Sequence, residues 1–264
     1  MHQIRTLHQA KGRREQGLVL LEGTHLLQEC RRLGLGLSRL IATERWLQHH
    51  PQLLGSEPLQ PVTSEVLQAM ASTDHPDGVI ALLPHPALGE QSLPMASGDH
   101  PLLLGLDRVQ DPGNLGTILR TALAAGVQQV WLGGGADPWQ PKVLRASAGA
   151  VLELAIQRLD SLDALVAQAQ QQGVVCLAAV REGGIPFWQH NWCGPSLLLL
   201  GNEGAGLSDS LLQQPLQPVT IPHHHRVESL NVAVAAGVLL LERSRMQAIA
   251  GLGRGESSAT ELGR

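Results

Sequence analysis

The residues best suited to chemistry fall in three short stretches. The first is DPGNLGTILRTALAAG, Asp111 to Gly126, where Asn114 is followed six residues on by Arg120. The second is GNEGAGLS, Gly201 to Ser208, with one carboxylate, Glu203, among glycines 201, 204 and 206. It follows the apolar run Ser196–Leu200, which predicts a loop leaving a buried strand. Backbone N–H and C=O groups can approach a ligand closely there, because glycine has no Cβ. The third is IPHHHRVESLNVAVAAGVLLLE, Ile221 to Glu242: the end of a strand over Leu216–Ile221, a turn, then a helix apolar nearly all round. A helix of that kind is expected to be buried, carrying Glu228, Ser229 and Asn231 into the interior at its start. A backbone-lined loop paired with a polar helix start is the outline of a small-molecule site.

Together these stretches resemble the three signature motifs of the SpoU (TrmH-like) RNA ribose 2′-O-methyltransferases of the SPOUT superfamily. The matching residues are Asn114 and Arg120, then Gly201, Glu203 and Gly206, then Ile221, Pro222, Ser229, Leu230 and Asn231. PKVLRASAGA, Pro141 to Ala150, matches the helix between the first two motifs. The resemblance implies S-adenosylmethionine as cofactor, held largely through backbone atoms at Gly201, Ile221 and Leu230. It implies a catalytic set of Arg120, Asn114, Glu203, Ser229 and Asn231, in a homodimer across whose interface Glu203 reaches. In the family the arginine is proposed to activate the ribose hydroxyl. A guanidinium is effectively never deprotonated in proteins, so the role expected is phosphate anchoring and stabilisation of the forming alkoxide. Asn114 and Ser229 would hydrogen-bond near it and Asn231 would hold the loop. Asn and Ser are also favoured helix caps, and the two roles can coexist.

One departure stands out. The family's Ile-Pro-Met-x-Gly has His223 and His225 at its Met and Gly positions. Glycine there would permit positive φ, so His225 is expected to alter the loop. Three successive histidines cannot easily converge on one metal ion, and a pH-sensitive loop or a cationic edge facing RNA is expected instead.

These motifs need a scaffold. LVLLE (18–22) reads as a strand, Thr24–Leu33 as a helix with Thr24 as its N-cap, and Leu37–Ala42 as a strand. Helices over Trp46–Leu54 and Ser64–Met70 and a strand over Val79–Leu83 complete a small α/β unit, residues 1–83. Its LEGTHLLQEC resembles the start of the L30-like substrate-binding domain that precedes many SpoU catalytic domains. Residues 84–100, rich in Pro, Gly, Ser and His, read as a linker. From Pro101, the segments LLLGLD, VQQVWLGG, LELAIQ, VVCLAAV, SLLLLG and LQPVTI give six apolar strands separated by helical patterns. That pattern predicts a mostly parallel sheet covered on both faces, a catalytic domain over 101–246. Nothing in periodicity predicts a knot; the resemblance implies a deep C-terminal trefoil. The polar, Gly-rich tail 247–264 is expected to be disordered.

Composition narrows the function classes. The net charge is −4, yet residues 1–45 hold eight Lys or Arg against four acids, and 46–100 hold six acids and no Lys or Arg. The excess, with Lys11, Arg13 and Arg14 close together, suits RNA phosphates. Five Trp, one Phe and no Tyr argue against a stacking sheet of the RRM kind. Gly133, Gly134 and Gly135 do not open a dinucleotide fingerprint. Three dispersed cysteines form neither a disulfide framework nor a metal motif. The N-terminus lacks a secretory h-region and no apolar run is long enough for a membrane helix. The reading is a cytoplasmic, S-adenosylmethionine-dependent RNA 2′-O-methyltransferase. Ribosomal RNA is favoured over tRNA as substrate, because the two-domain resemblance is closest to rRNA members. The alternative is a non-catalytic RNA-binding or ribosome-assembly factor on the same scaffold.

Overall fold

The computed structural model describes residues 2–86 and 100–253. Contacts divide the chain into two compact units. One gathers Met1–Gly89, Gln110–Arg120 and Gly135–Ile156, and the other Glu90–Val109, Thr121–Gly134 and Gln157–Arg264.

The first unit opens with α1 (His2–Thr6), α2 (Ala10–Gln16), β1 (Leu18–Glu22), α3 (Thr24–Arg32), β2 (Arg39–Thr43) and α4 (Glu44–His49). A 3-10 turn at Pro51–Leu53, β3 (Leu59–Val62), α5 (Ser64–Met70) and β4 (Val79–Pro84) follow. The sheet order is β1-β4-β2-β3, with β4 antiparallel to both neighbours and β3 parallel to β2. Leu20, Ile41, Ile80 and Leu82 alternate onto one face and bury against Leu67, Met70, Ile4 and Leu7. Side-chain caps start two helices: Thr43 Oγ1 accepts from Trp46 N–H at 3.3 Å, and Thr63 Oγ1 from Val66 N–H at 3.4 Å. The cap expected at Thr24 falls one residue earlier, on Gly23. Thr24 N–H donates instead to Asp77 Oδ2 at 2.7 Å, from 53 residues away. The reading also passed over β3, whose Pro61 confines it to a sheet edge, and over α1 and α2.

The basic cluster divides. Arg13 is 2% exposed; its guanidinium donates to the carbonyls of Leu7 and His8 at 2.8 and 3.0 Å and pairs with Asp137 at 2.6 Å. It is a structural bracket and not a phosphate contact. Arg31 pairs with Glu57, and Arg32 with Glu29 and Glu153. Arg5 and Arg14 remain exposed.

After β5 (Leu102–Asp107) the chain enters α6 (Pro112–Ala124), then β6 (Gln129–Gly133), α7 (Pro141–Ala146), β7 (Ile156–Leu159), α8 (Asp163–Gln171) and β8 (Val175–Ala179). It ends with β9 (Ile185–Pro186), β10 (Ser196–Leu200), α9 (Asp209–Leu212), β11 (Gln217–Thr220) and α10 (Val232–Gly253). The seven-stranded sheet runs β7-β6-β5-β10-β8-β11-β9, and the pairings through β6, β5, β10, β8, β11 and β9 are parallel. Five of the six expected strands are present. The third, expected over 152–157, shares only Ile156 and Gln157 with β7, because a 3-10 turn at Ala150–Leu152 precedes it. The two-residue β9, too short for a pattern, is the seventh. Every residue of β5 and β10 is buried, as central parallel strands covered on both faces require.

Two expectations about the last helix are corrected. α10 buries Ala233, Ala236, Leu239 and Leu240 but leaves Val234 54% and Leu241 48% exposed. It is covered on one side, and Glu228, Ser229 and Asn231 are exposed at its approach. It also runs to Gly253, beyond the Met246 boundary read from the sequence. Residues 254–264 and most of the linker, 87–99, lie outside the described residues. Among the described residues no helix is long and apolar enough to cross a membrane.

Candidate functional site

In the second unit, the carboxyl ends of β8, β10 and β11 surround a cavity of about 250 Å³. This is where open parallel sheets ordinarily bind ligands. Its wall is apolar, with Leu200, Val219, Leu239 and Leu207 among the lining side chains. Its edge is the loop Gly201–Gly206.

The loop's shape follows from its residues. Asn202 and Gly206 exchange two backbone hydrogen bonds of 2.9 Å. Gly206 closes that turn at φ +70°, a left-handed value that favours glycine. A Cβ on Gly201 would lie 2.1 Å from the Gly206 carbonyl carbon, so no larger residue fits this turn. The Asn202 side chain knits the centre: Oδ1 accepts from Gly204 N–H and Ala205 N–H at 3.0 Å, and Nδ2 donates to the Arg108 carbonyl at 2.9 Å. Asp107, 5% exposed at the end of β5, accepts from Ser208 N–H at 2.7 Å. Arg108 itself stands at φ +57°, an uncommon conformation for a side-chain-bearing residue. Asp107 and Asn202 were not singled out from the sequence. Their signal was a carboxylate ending an apolar strand and an amide within a glycine run.

The segment after β11 forms the opposite edge. His223 Nδ1 lies 2.7 Å from the Ile221 carbonyl, to which the ring N–H donates. His224 and His225 stack at 4.3 Å. Outside glycine, positive φ occurs among the described residues only at Arg108 and Ala148. His225 therefore occupies ordinary backbone space, without the positive φ that a glycine at this position would permit. Asn231 Oδ1 accepts from Ala233 N–H at 2.8 Å and Val234 N–H at 3.3 Å, capping α10.

Gly201, Glu203, Ile221, Ser229 and Leu230 thus line one cavity, with Asn231 fixing the helix beside it. Asn114 and Arg120 lie on α6, in the portion belonging to the first unit. Asp111 Oδ1 accepts from Asn114 N–H at 2.8 Å. That bond, with Lys142 nearby, holds the Asp111 carboxyl below the usual carboxylate value. Leu115, Ile118, Leu119 and Ala122 make the buried face of α6, and the opposite face exposes Arg120. Among the described residues the Arg120 guanidinium has no hydrogen bond or ion pair. Burial pushes the thiols of Cys30 and Cys176 up to about 11, which leaves them inert as nucleophiles.

Comparison with known proteins gives the same pattern. The model of the SpoU rRNA Methylase family matches residues 101–241, and that of the MRM3-like substrate binding domain matches residues 1–81. An uncharacterized tRNA/rRNA methyltransferase of Synechocystis is 44% identical, over 93% of this chain and 90% of its own. The 23S rRNA (guanosine(2553)-2′-O)-methyltransferase RlmP of Bacillus subtilis is 32% identical, over 89% and 91%. The SpoU methyltransferase AviRb of Streptomyces viridochromogenes, solved in complex with the cofactor AdoMet, superposes with a TM-score of 0.83 at 26% identity, covering 95% of this chain and 98% of its own. The chain belongs to the SpoU family of rRNA methylases.

Proposed function

We propose that the chain transfers a methyl group from S-adenosylmethionine to a ribose 2′-hydroxyl of RNA, with ribosomal RNA as the substrate. The observation that carries this reading is the cavity at the carboxyl ends of β8, β10 and β11, where Gly201, Glu203, Ile221, Ser229 and Leu230 converge. The residues fit the cofactor: an apolar wall suits an adenine ring, and the Gly201–Gly206 edge offers backbone groups without side chains in the way. When bound, S-adenosylmethionine supplies an electrophilic methyl group on a sulfonium.

The chain's own residues then have separable tasks. Gly201, Ile221 and Leu230 present backbone to the cofactor. Asn202 and Asp107 keep the loop in shape from outside. Arg120, permanently charged and without a partner among the described residues, is assigned the substrate: it anchors a phosphate and stabilises the alkoxide that forms as the ribose hydroxyl gives its proton to solvent. Asn114 and Ser229 supply hydrogen bonds to the substrate, and Glu203 organises the loop. Asn231 acts through the cap it provides to α10. Arg5 and Arg14 are left for RNA phosphates by the ion pairs that occupy Arg13, Arg31 and Arg32. A cytoplasmic location goes with this reading.

The protein acts as a homodimer in this proposal, supported by the bare stripe of α10. Val234 and Leu241 lie one heptad apart on the exposed side, and apolar stripes at that spacing pack helix against helix. Changing both to Glu should convert dimer to monomer by sedimentation velocity; a wild-type monomer sinks this part. The methylation reading is tested by mapping ribose 2′-O-methylation on rRNA incubated with protein and S-adenosylmethionine. One new protected position is expected, and none would leave an RNA-binding factor.

A further inference from the structure

The rim of the cavity carries a charge pair that the family motifs do not account for. Arg181, just after β8, lines the cavity, and its Nη1 lies 3.0 Å from Glu228 Oε1. Both side chains are largely exposed, 61% and 87%. The backbone beneath Arg181 is fixed: Val180 N–H donates to the Val219 carbonyl at 2.9 Å, and Thr220 Oγ1 donates to the Arg181 carbonyl at 2.9 Å. The guanidinium can therefore swing from a held root. An ion pair this exposed contributes little, so replacing its carboxylate by another costs little.

The wall around Arg181 is apolar, formed by Ala179, Val180, Val219 and Ile221. Among the described residues, Arg181 and Glu203 are the only acidic or basic side chains on the lining besides His223, whose Nδ1 is engaged with the Ile221 carbonyl. The cofactor is unequal in charge along its length. Its adenosine end is neutral and suits the wall. Its amino-acid end carries a carboxylate that apolar surface cannot accept without a partner.

We propose that Arg181 anchors the α-carboxylate of the cofactor, giving up Glu228 for it when the ligand enters. Glu228 is then a competitor that holds the guanidinium at the rim while the cavity is free. This rests on the cavity being the cofactor site.

The test is calorimetric titration of the full chain with two ligands. S-adenosylhomocysteine keeps the amino-acid end, and 5′-methylthioadenosine lacks it. Arg181→Gln should weaken S-adenosylhomocysteine about tenfold, the scale of one charge-assisted hydrogen bond. It should leave 5′-methylthioadenosine within about twofold, since no charged contact is lost. Glu228→Gln should tighten S-adenosylhomocysteine by roughly two- to threefold, the scale of an exposed pair, and not move the other ligand. Equal weakening of both ligands by Arg181→Gln makes the side chain a wall element and overturns the proposal, as does unchanged affinity for S-adenosylhomocysteine. A wild-type protein that binds neither ligand removes the cofactor site itself.

Discussion

Helix α6 and the loop Gly201–Ser208 each contain a glycine that cannot take a methyl group, and the space is closed differently in the two. At Gly116 a Cβ would lie 2.5 Å from the Ala146 Cβ and 2.9 Å from the Val143 carbonyl oxygen. The obstacle belongs to α7, a neighbour in the fold. At Gly201 the obstacles are Gly206 and Leu207, at 2.1 and 2.3 Å, within the loop itself. The helix owes its shape to repeating backbone hydrogen bonds, and its glycine serves packing. The loop has no repeating bonds, so one asparagine, one aspartate and two glycines must specify it. A methyl group at the first glycine strains the fold, whereas one at the second reshapes the ligand edge.

The largest expected effect lies on the regular side. Arg120→Ala should cut methyl transfer by roughly a hundred- to a thousandfold, the scale of losing one stabilising donor at a developing oxyanion. Stability and S-adenosylhomocysteine affinity should stay near wild type, because the exposed guanidinium is outside both the packing and the cavity wall. Near-wild-type turnover would take Arg120 out of the reaction. The two glycines should then separate. Gly201→Ala should weaken S-adenosylhomocysteine by about tenfold or more, the order of one lost backbone contact to a charged ligand. It should also lower the melting temperature, because its Cβ would meet backbone atoms of Gly206 and Leu207; the loss of affinity should persist in the folded fraction. Gly116→Ala should lower stability by about 1–3 kcal/mol through overpacking while the folded fraction binds the ligand normally. If both act alike in the two measurements, the distinction between packing and ligand glycines is wrong.

This division also explains what could be read from the sequence. Periodicity and apolar runs located β5, β10 and α5, because these elements are decided by their own residues and by burial. Spacing, through family resemblance, proposes Asn114, Arg120, Glu203 and Ser229 as site residues, and the bland reading of Asn231 as a helix cap is what its hydrogen bonds display. The bonds that shape the site were not legible. Asn202 reaches Arg108 across 94 residues, and Ser208 reaches Asp107 across 101. A partner that far away leaves no local pattern. The same reason defeats the assignment of Arg13, whose triple bracket joins it to Asp137 across 124 residues; beside Lys11 and Arg14 it reads as one more surface cation.

The histidines repeat the contrast between buried and open settings. His190 is 7% exposed, packs edge-on against Trp192 at 5.0 Å, and buries Nε2 with no hydrogen-bond partner among the described residues. Burial holds its pKa below the ordinary 6.5. As pH falls through 6.5, the unfolded chain takes up a proton that the folded one refuses, so stability is lost on acidification toward the folded value. Urea midpoints should fall between pH 7 and 5.5, and His190→Leu should flatten that part of the slope. An unchanged slope would assign the loss to other groups.

The smallest effect is expected at His225. Had its backbone been held at positive φ, restoring the family's glycine would have relieved strain worth about 1 kcal/mol or more and tightened the cofactor. It is not so held. Its ring lies exposed against His224, and His223, which does line the cavity, is tied to its own loop through Ile221. His225→Gly should therefore leave S-adenosylhomocysteine affinity within about twofold, since a glycine added in unstrained backbone mainly costs unfolded-state entropy. The pair His223→Met, His225→Gly separates the two positions: any change it shows beyond that of His225→Gly belongs to His223 at the cavity edge. A clear gain in affinity from His225→Gly alone would restore the strained loop and undo the present account of this edge.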